Sequence, residues 1–442
     1  MSVKAQWPRM TLREAGVNLI DCDHRTPKAQ TSGYPYIAIP QLRNGHIHLD
    51  GSERLITASD FADWTKKLLP QQHDVVVVRR CNSGESAVIP ADLKCAIGQN
   101  LVILRADGSK VLSPFLRWLV RGDEWWEQVS KYLNVGAVFD SLRCRDIPLF
   151  ELTIPPLNVQ QGIAQILQSL DDRITLLRET NKTLESIAHA IFKSWFVDFD
   201  PVHAKMGGRQ PEGMDEETAA LFPDSFEDSK LGSIPIGWQV MLIGDAVDTV
   251  GGATPDTKNP DFWDPPVHCW TTPKDLSGIT APILLDTERK LSPEGIKKVS
   301  SGLLPEGTLL LSSRAPIGYL ALTQIPVAIN QGYIAMLPGG VLPPLYLHFW
   351  CKQNMENIKG RANGSTFMEI SKKAFRPIPI LVPSPELIQR FANTANALFG
   401  RLSENERQAQ TLSAIRDTLL PRLISGQLRL PEAQEQIENA LQ

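Results

Sequence analysis

The chain has 442 residues, more than the roughly 100 to 200 that one domain usually holds, so two or more domains are expected. Apolar residues make up 42% of the chain and charged residues 21%, which excludes a wholly disordered, collagen-like or membrane-spanning protein. The net charge of −4 is uneven: residues 198–230 hold nine acids and three bases, so the rest carries +2 and a nucleic-acid partner is not excluded.

Residues 1–16 contain no apolar core typical of a secretory signal, and no run approaches the roughly 18 apolar residues of a membrane span. A cytoplasmic protein is therefore expected. The cysteines form no CxxC pair and have no Cys/His spacing typical of zinc sites, so each is expected to be an ordinary buried thiol. They are Cys22, Cys81, Cys95, Cys144, Cys269 and Cys351.

The first predicted module spans residues 1–153 and mixes strand and helix patterns. VVVV at 75–78 and LVIL at 101–104 are continuous apolar runs, which are typical of buried strands. SPFLRWLV from Ser113 is typical of a short helix. Because prolines and glycines are dense between these segments, a compact α+β module is expected.

A long helix is predicted over residues 154–200, after the turn at Pro155-Pro156. Its apolar residues recur at alternating steps of four and three for more than four heptads, which is typical of a coiled coil. The predicted seam consists of Ile163, Leu167, Leu170, Ile174, Leu177, Asn181, Leu184, Ala188, Ile191 and Trp195.

The segment 201–236 is rich in glycine, proline and acids and shows no sustained periodicity, so it is predicted to be an acidic linker. A second α+β module is predicted over residues 237–382. Its TLLLSS run at 308–313 is typical of a buried strand, and PLYLHFWCKQ from Pro344 is typical of a short helix.

A second long helix is predicted over residues 383–426, followed by a C-terminal tail at 427–442. Its seam consists of Phe391, Ala395, Leu398, Leu402, Asn405, Ala409, Leu412, Arg416, Leu419 and Leu423. We expect the two long helices to pair antiparallel with Asn181 opposite Asn405, so that each amide satisfies the other. Asn181→Leu is then expected to stabilise the pair and loosen its register. Alternatively, each helix packs only onto its own module, or each Asn turns outward.

The two halves of the chain match each other at an offset near 230 residues. The matches are Trp7 with Trp238, Thr26-Pro27 with Thr254-Pro255, Leu69-Pro70 with Leu304-Pro305, AIGQN at 96–100 with AINQG at 328–332, GAVF from Gly136 with GSTF from Gly364, and TIPPLNVQQGIAQIL from Thr153 with LVPSPELIQRFANTA from Leu381. The offset drifts only between 228 and 235 over most of the chain. A tandem duplication is therefore predicted.

Enzyme motifs are missing from the sequence. There is no G-x-G turn for a dinucleotide or S-adenosylmethionine, and no GxxxxGK[ST] phosphate loop. DPPV at 264–267 has Val267 where the amino-methyltransferase loop needs an aromatic residue. A magnesium-dependent nuclease built from Asp261, Glu288 and Lys290 is an alternative, but this loose pattern arises often by chance.

Candidate contacts to a nucleic acid lie at strand ends and in loops. Arg79 and Arg80 end the VVVV strand, and Arg314 occupies the matching place in LSSRAPIG. An arginine held at a strand end can contact a guanine edge or a phosphate. Further candidates are Lys274, Asn330, Gln331 and the small polar loop of Gly364, Ser365 and Thr366, which suits phosphate oxygens. The alternatives are solvated charges for the arginines and turn or capping roles for the two amides.

Several motifs, in order, resemble one known family. IPPLNVQQGIAQILQSLDDRITLLRETNKTLESIAHAIFKSWFVDF at 154–199 resembles the central region of the specificity subunit of type I restriction-modification systems. LVPSPELIQRFANTANALFGRL and TLLPRLISGQL resemble the distal counterpart of that region. GGATP, WTTPKDL, LLPEGTLLLSSRAPIG, AINQGY and NGST-F in the second module resemble the family's target-recognition domain. The first module departs from the pattern, with RRCNSG in place of SRAPIG and GQN in place of NQG.

The resemblance implies an α+β fold with two tandem target-recognition domains, each a mixed β-sheet with short helices. Two long helices, paired as an antiparallel coiled coil, would separate these domains. The implied function is non-catalytic, sequence-specific recognition of double-stranded DNA in bacterial defence, each domain reading one half of a bipartite target. The seam residues implied to carry helix pairing and partner docking are Leu170, Ile174, Asn181, Leu184, Ile191, Trp195, Leu398, Leu402, Asn405, Leu412 and Leu419.

The implied partners are two methyltransferase subunits, through which motor and endonuclease subunits join. This chain is then expected to bind no cofactor, with S-adenosylmethionine, ATP and Mg²⁺ held by the partner subunits. Other functions stay open: a specificity subunit for a related system with fused nuclease and methylase, or a duplicated scaffold that touches no DNA. A self-sufficient DNA methyltransferase or nuclease is disfavoured by the missing loops.

Overall fold

The structure is a computed structural model that describes residues 7–135, 139–364 and 368–441. It divides into two compact units. Unit 1 comprises Met1–Ile174 and Thr411–Gln442, and unit 2 comprises Thr175–Gln410. Each unit therefore contains one predicted module, named module 1 (1–153) or module 2 (237–382), together with part of each long helix.

Module 1 is built from eleven strands and three helices within the described residues. The strands are β1 (Arg9–Thr11), β2 (Val17–Asp21), β3 (Tyr34–Ile37), β4 (Leu42–Arg43), β5 (Gly45–Ile47), β6 (Arg54–Ile56), β7 (Val75–Val78), β8 (Ser86–Val88), β9 (Ala96–Ile97), β10 (Leu101–Ala106) and β11 (Glu151–Thr153). The helices are α1 (Ala58–Trp64), α2 (Ser113–Leu119) and α3 (Asp123–Tyr132), and the long helix α4 (Leu157–Phe196) follows. The strands form sheets in the orders β2-β10-β7-β8-β5-β4, β6-β3-β9 and β1-β11.

The predicted apolar runs of module 1 form central strands. β7 lies between β10 and β8, and its four valines are at most 1% exposed. Such strands need apolar side chains at every position, because both of their faces are covered. The strand predictions at 75–78 and 101–104 and the helix prediction from Ser113 are therefore confirmed.

Unit 2 contains the helices α5–α12, the larger part of α13 and the strands β12–β23. The strands are β12 (Phe226–Ser229), β13 (Gly232–Pro235), β14 (Gln239–Leu242), β15 (Thr249–Val250), β16 (His268–Thr271), β17 (Ile283–Leu284), β18 (Arg289–Leu291), β19 (Leu309–Ser312), β20 (Leu320–Thr323), β21 (Ala328–Ile329), β22 (Tyr333–Met336) and β23 (Pro379–Val382). The helices are α5 (Asp200–Met206), α6 (Glu216–Ala220), α7 (Ile243–Ala246), α8 (Pro273–Leu276), α9 (Pro293–Ile296), α10 (Pro344–Gln353), α11 (Met355–Gly360), α12 (Lys372–Phe375) and α13 (Pro385–Ile424), and α14 (Leu430–Leu441) follows in unit 1.

The two modules share one topology. The sheet order β15-β22-β19-β20-β17 in module 2 repeats the order β2-β10-β7-β8-β5 in module 1. The three-stranded sheets β18-β16-β21 and β6-β3-β9 also match, each with one parallel pair. The terminal pair β14-β23 matches β1-β11. The predicted duplication is thus visible in the fold.

The long helices pair antiparallel in the register that the heptads predict. In unit 2, Asn405 Nδ2 donates to Asn181 Oδ1 at 3.0 Å. The rings of Trp195 and Phe391 lie 6.2 Å apart in the same unit. From the first contact to the second, the residue number rises from 181 to 195 in α4 and falls from 405 to 391 in α13, so the two helices are antiparallel. Asn181 and Asn405 are each 2% exposed, so neither turns outward.

Most predicted seam residues are buried within their own unit. In unit 1, Leu170, Ile174, Leu412 and Leu419 are at most 4% exposed. In unit 2, Leu402 and Trp195 are also buried. Three positions, Leu184, Ile191 and Leu398, are only partly buried and pack against the core of unit 2. The heptad pattern therefore identified the apolar faces of both helices.

The segment predicted to be a linker carries secondary structure. It contains α6, the hairpin β12–β13 and most of α5, and its side chains Val202, Phe222 and Ile234 are buried in the core of unit 2. The predicted tail likewise contains α14. The sequence pattern missed α5 and α6 because they have 7 and 5 residues, too few for a helical period to show.

The expectation that all six cysteines are buried is wrong for three of them. Cys81 is exposed, and Cys144 and Cys269 are intermediate, whereas Cys22, Cys95 and Cys351 are buried. Cys81 lies in the loop after β7 with φ of +53°, so it cannot belong to the core strand before it. Among the described helices, none combines the length and apolar character that a membrane crossing requires.

Candidate functional site

Hydrogen bonds, two of them between backbone groups, bring the candidate loops of module 2 together. The Ser313 N–H donates to Gly332 O at 2.8 Å, which joins the loop after β19 to the turn after β21. The Ile370 N–H donates to Ser313 O at 3.0 Å and brings in the hairpin that precedes it. The Thr254 hydroxyl donates to Gln331 Oε1 at 2.6 Å, so the loop after β15 also joins this group.

Arg314 in this group is oriented by a carboxylate. It forms an antiparallel bridge with Glu369, and its Nη1 lies 3.5 Å from Glu369 Oε2. Its side chain is 35% exposed, so the guanidinium reaches solvent. Gly364 in the neighbouring hairpin has φ of +134°, a value that L side chains rarely adopt. Ser365 and Thr366, also predicted here, lie outside the described residues.

The other candidates of module 2 differ in how their polar atoms are used. Lys274 is 78% exposed, and its Nζ lies 3.0 Å from Glu288 Oε2. Such a surface ion pair adds only about 0 to 1 kcal/mol, so a ligand can compete for the lysine. Asn330 Oδ1 accepts the Gly332 N–H at 2.8 Å. The acceptor oxygens of Asn330 and Gln331 therefore shape the loops, as the turn alternative expects.

Module 1 repeats the backbone pattern of module 2. The Arg79 N–H donates to Asn100 O at 2.8 Å, and the Leu142 N–H donates to Arg79 O at 2.8 Å. Ser313 of module 2 makes the corresponding two bonds. These loops are therefore held by the same backbone hydrogen bonds in both modules, and this shared arrangement is named the loop framework.

The structure separates the roles of the two arginines in module 1. Arg80 is exposed and forms the bridge to Ser141 that Arg314 forms to Glu369. Arg79 is 13% exposed instead, and its Nη2 lies 3.9 Å from Asp21 Oδ1. Arg80 is therefore the geometric counterpart of Arg314, and Arg79 faces into the module.

Sequence reasoning missed the residues that face the two exposed arginines. Ser141 and Glu369 follow Gly136 and Gly364 by five residues each. The repeat alignment that matched these two glycines also matches Ser141 with Glu369. The signal was therefore present, but neither side chain has the chemistry that marks a nucleic-acid contact.

A buried charge cluster joins module 1 to both long helices within unit 1. Asp171 of α4 is 1% exposed and accepts from Arg117 Nη2 at 2.6 Å and from Arg416 Nη1 at 2.5 Å. His46 Nε2 lies 3.1 Å from the same carboxylate. Burial would raise the pKa of Asp171, but His46 and the two guanidinium charges outweigh it and lower the pKa.

Unit 2 attaches its module mainly through aromatic rings. Phe192 of α4 lies 5.7 Å from Phe391 of α13 and 5.1 Å from Tyr346 of α10, measured between ring centroids. An ion pair accompanies them, with Lys352 Nζ donating to Glu185 Oε1 at 2.6 Å. Burial would raise the pKa of Glu185, but His348 and Lys352 outweigh it and lower the pKa to about 2.

The acid and lysine residues of the nuclease alternative pair separately. Glu288 pairs with Lys274, while Lys290 Nζ lies 3.2 Å from Asp286 Oδ1. Asp261 accepts the Ser292 hydroxyl through its backbone oxygen at 2.5 Å. These contacts give no support to a joint site of Asp261, Glu288 and Lys290.

The chain matches the family model described as "Type I restriction modification DNA specificity domain" twice, at residues 21–186 and 235–410. It is 26% identical over 430 residues to the type I restriction enzyme HindI specificity subunit of Haemophilus influenzae, covering 88% of this chain and 92% of that one. It is 37% identical over 185 residues to the MjaIX specificity subunit of Methanocaldococcus jannaschii, covering 41% and 42% of the two chains.

A solved structure, that of the type I restriction-modification S subunit from M. genitalium, resembles the chain with a TM-score of 0.53. The match covers 96% of this chain and 98% of the other at 18% identity, so it supports a similar fold and no more. Because the family model covers most of the sequence in two copies, the chain belongs to the type I restriction-modification DNA specificity family.

Proposed function

We propose that the chain is the DNA-recognition subunit of a type I restriction-modification complex, with each module reading one part of a bipartite double-stranded target. The duplicated loop framework carries this proposal. Equivalent backbone positions hold different side chains, with Ser141 against Glu369 beside the exposed arginines. One framework with two chemistries suits two different half-sites, because base edges are distinguished by the donors and acceptors that face them.

The exposed arginines supply the contact chemistry. Arg80 and Arg314 each extend from the end of a buried central strand, β7 or β19. A guanidinium in such a position can take a guanine edge or a backbone phosphate through two parallel hydrogen bonds. Lys274 adds a mobile charge that suits a phosphate better than a base.

The proposed partners are two methyltransferase subunits, with motor and endonuclease subunits joining through them. The long helices are the proposed docking elements, since residues such as Leu176 and Ile187 remain exposed on α4 at 58% and 45%. Chemistry is assigned to the partners: S-adenosylmethionine, ATP and Mg²⁺ are proposed to bind there. The assembled complex is proposed to act in the cytoplasm, where its DNA is found.

A DNA titration tests this function. The full chain, alone and with a co-expressed partner methyltransferase, is titrated against duplex DNA by fluorescence anisotropy at several salt concentrations. We expect binding that weakens as salt rises, because phosphate contacts release counterions. Binding that is absent in both samples would favour a duplicated scaffold. Methyl transfer by the chain alone would favour a self-sufficient methyltransferase.

A further inference from the structure

A β-hairpin lies beside the exposed Arg80 of module 1. It comprises residues 134–141 and is named hairpin 1. Asn134 and Ser141 exchange two backbone hydrogen bonds of 3.0 Å each, which close the hairpin. Ser141 is also bridged to Arg80. The base of hairpin 1 is therefore fixed to the arginine that the proposed function assigns to DNA.

Module 2 repeats this arrangement with its own hairpin, residues 363–369, named hairpin 2. Asn363 and Glu369 exchange backbone hydrogen bonds of 2.9 and 3.0 Å. Glu369 is also bridged to Arg314. In both modules, the residue that closes the hairpin is thus the residue that pairs with the exposed arginine.

Both hairpins expose large apolar side chains. In hairpin 1, Val135 is 83% exposed and Phe139 is 59% exposed, and in hairpin 2 Met368 is 52% exposed. The repeat matches Phe139 with Phe367, which lies outside the described residues. Single exposed apolar residues are ordinary on a protein surface, but their grouping beside the same arginine in both modules marks an interaction site.

The charge around the hairpins indicates the partner. Residues 131–146 hold three bases and two acids, and residues 356–373 hold four bases and two acids, in addition to Arg80 and Arg314. A positive surround attracts the phosphate backbone of DNA. Duplex DNA offers an apolar side chain only thymine methyl groups or the base faces of a step that opens. Phenylalanine and methionine are among the side chains that proteins insert into such steps.

We propose that Phe139 and Met368 are wedges, meaning side chains that enter the base stack of double-stranded DNA next to the contact made by Arg80 or Arg314. This inference rests on the proposed function. Each wedge partly unstacks one base step of its half-site and bends the duplex there. Because pyrimidine–purine steps open most easily, the wedge adds a preference for a deformable step to the hydrogen bonds of the arginine.

The two hairpins differ in length and composition. Hairpin 1 has six residues between its closing pair, and hairpin 2 has five. Residues 135–139 are Val, Gly, Ala, Val and Phe, whereas residues 364–368 are Gly, Ser, Thr, Phe and Met. The wedge of module 1 therefore belongs to the more apolar hairpin, and we expect its removal to have the larger effect.

Fluorescence of 2-aminopurine tests the wedges. The full chain with its co-expressed methyltransferase is bound to target duplexes that carry one 2-aminopurine, placed in turn at each position of both half-sites. This base brightens when its neighbours unstack. We expect one bright step in each half-site, and Phe139→Ala should abolish one while Met368→Ala abolishes the other. Met206→Ala, which removes a methionine of α5 that is 59% exposed, should leave both steps bright. Brightness from a base that the methyltransferase extrudes is expected in every variant.

Affinity for the same duplexes gives a second readout. Phe139→Ala should weaken binding about fivefold or more, the lower end of what stacking on a base contributes. Phe139→Leu keeps an apolar side chain and should bind more tightly than Phe139→Ala. Because Phe139 and Met368 are exposed, these variants should unfold at the wild-type temperature.

The outcomes separate the wedges from the proposed function. DNA binding without a bright step would overturn the wedges in favour of thymine methyl contacts, and the proposed function would stand. Bright steps that persist in both Phe139→Ala and Met368→Ala would also overturn the wedges. Absence of DNA binding by the wild-type complex would overturn the wedges and the proposed function together.

Discussion

The two units hold their modules against the long helices by different chemistry. In unit 1, Arg117 of α2 reaches the buried Asp171 of α4. In unit 2, His348 of the matching helix α10 instead packs its ring 5.8 Å from that of Phe399 on α13. The repeat offset of 228 residues matches Asp171 with Phe399. The same topology is therefore anchored mainly by ions in one copy and mainly by aromatic rings in the other.

The two anchors share their burial and the participation of α4, and they differ in the chemistry of the contact. Both anchors are buried, and in each copy α4 supplies part of the attachment. An ionic anchor is directional and fails when one partner is lost, because the remaining charges stay buried. An aromatic anchor depends on contact area and fails when volume is removed. The two units should therefore respond differently to substitution and to pH.

The largest expected effect follows removal of the Asp171 carboxylate. Asp171→Ala leaves Arg117 and Arg416 buried without their anion and should destabilise unit 1 by about 3 to 5 kcal/mol. Urea unfolding of the full chain measures the change. Asp172→Ala, which removes the exposed neighbouring carboxylate, is the matched control and should cost little. Equal effects of the two substitutions would show that the buried cluster contributes nothing.

The next effect compares DNA contacts in the two modules. Arg314→Ala and Arg80→Ala should each weaken specific DNA binding by about 1 to 3 kcal/mol while leaving assembly with the methyltransferase intact. Arg79→Ala should weaken DNA binding less, since Arg79 faces Asp21 within the module. Anisotropy titrations with the host's target duplex measure these differences. Wild-type affinity in both Arg80 and Arg314 variants would identify them as solvated surface charges.

The seam of unit 2 offers a test of similar size. Asn181→Leu leaves the Asn405 amide buried without its acceptor, so it should destabilise the helix pair by about 1 to 3 kcal/mol. The sequence-based expectation was that this substitution stabilises the pair, whereas the cost of leaving the Asn405 amide buried and unpaired favours the opposite result. The double variant with Asn405→Leu removes both amides and should recover the loss. Thermal unfolding distinguishes these outcomes, and a single variant more stable than the double would contradict them.

The smallest effect concerns acid stability of unit 2. The folded-state pKa of Glu185 is about 2, below its ordinary value of 4.5, so its stabilising contribution is present above pH 4.5 and is lost as pH falls toward 2. Glu185→Gln should cost about 1 kcal/mol at neutral pH and progressively less in this acid window. Unfolding measured across the window checks this. A cost that stays constant with pH would mean that the ion pair with Lys352 does not act.

Local patterns predicted the parts of the fold that depend on neighbouring residues. Heptad spacing and the one asparagine in each seam were enough to predict the Asn181–Asn405 register, and continuous apolar runs predicted β7 and β19. The Asp171 cluster was not predictable, because His46, Arg117 and Arg416 come from three distant segments and have no shared spacing. At the candidate DNA face, the sequence selected Arg80 and Arg314 but did not separate Arg79 from them. The distinction depends on whether each side chain points into the module, as that of Arg79 does, or toward solvent.

Methylome sequencing of a host carrying this chain and its partner methyltransferase tests the central claim most directly. The account predicts a methylated sequence in two parts with an unread gap, in which Arg80→Ala relaxes one part and Arg314→Ala relaxes the other. A contiguous methylated sequence, or relaxation of the same part by both substitutions, would contradict the assignment of one half-site to each module.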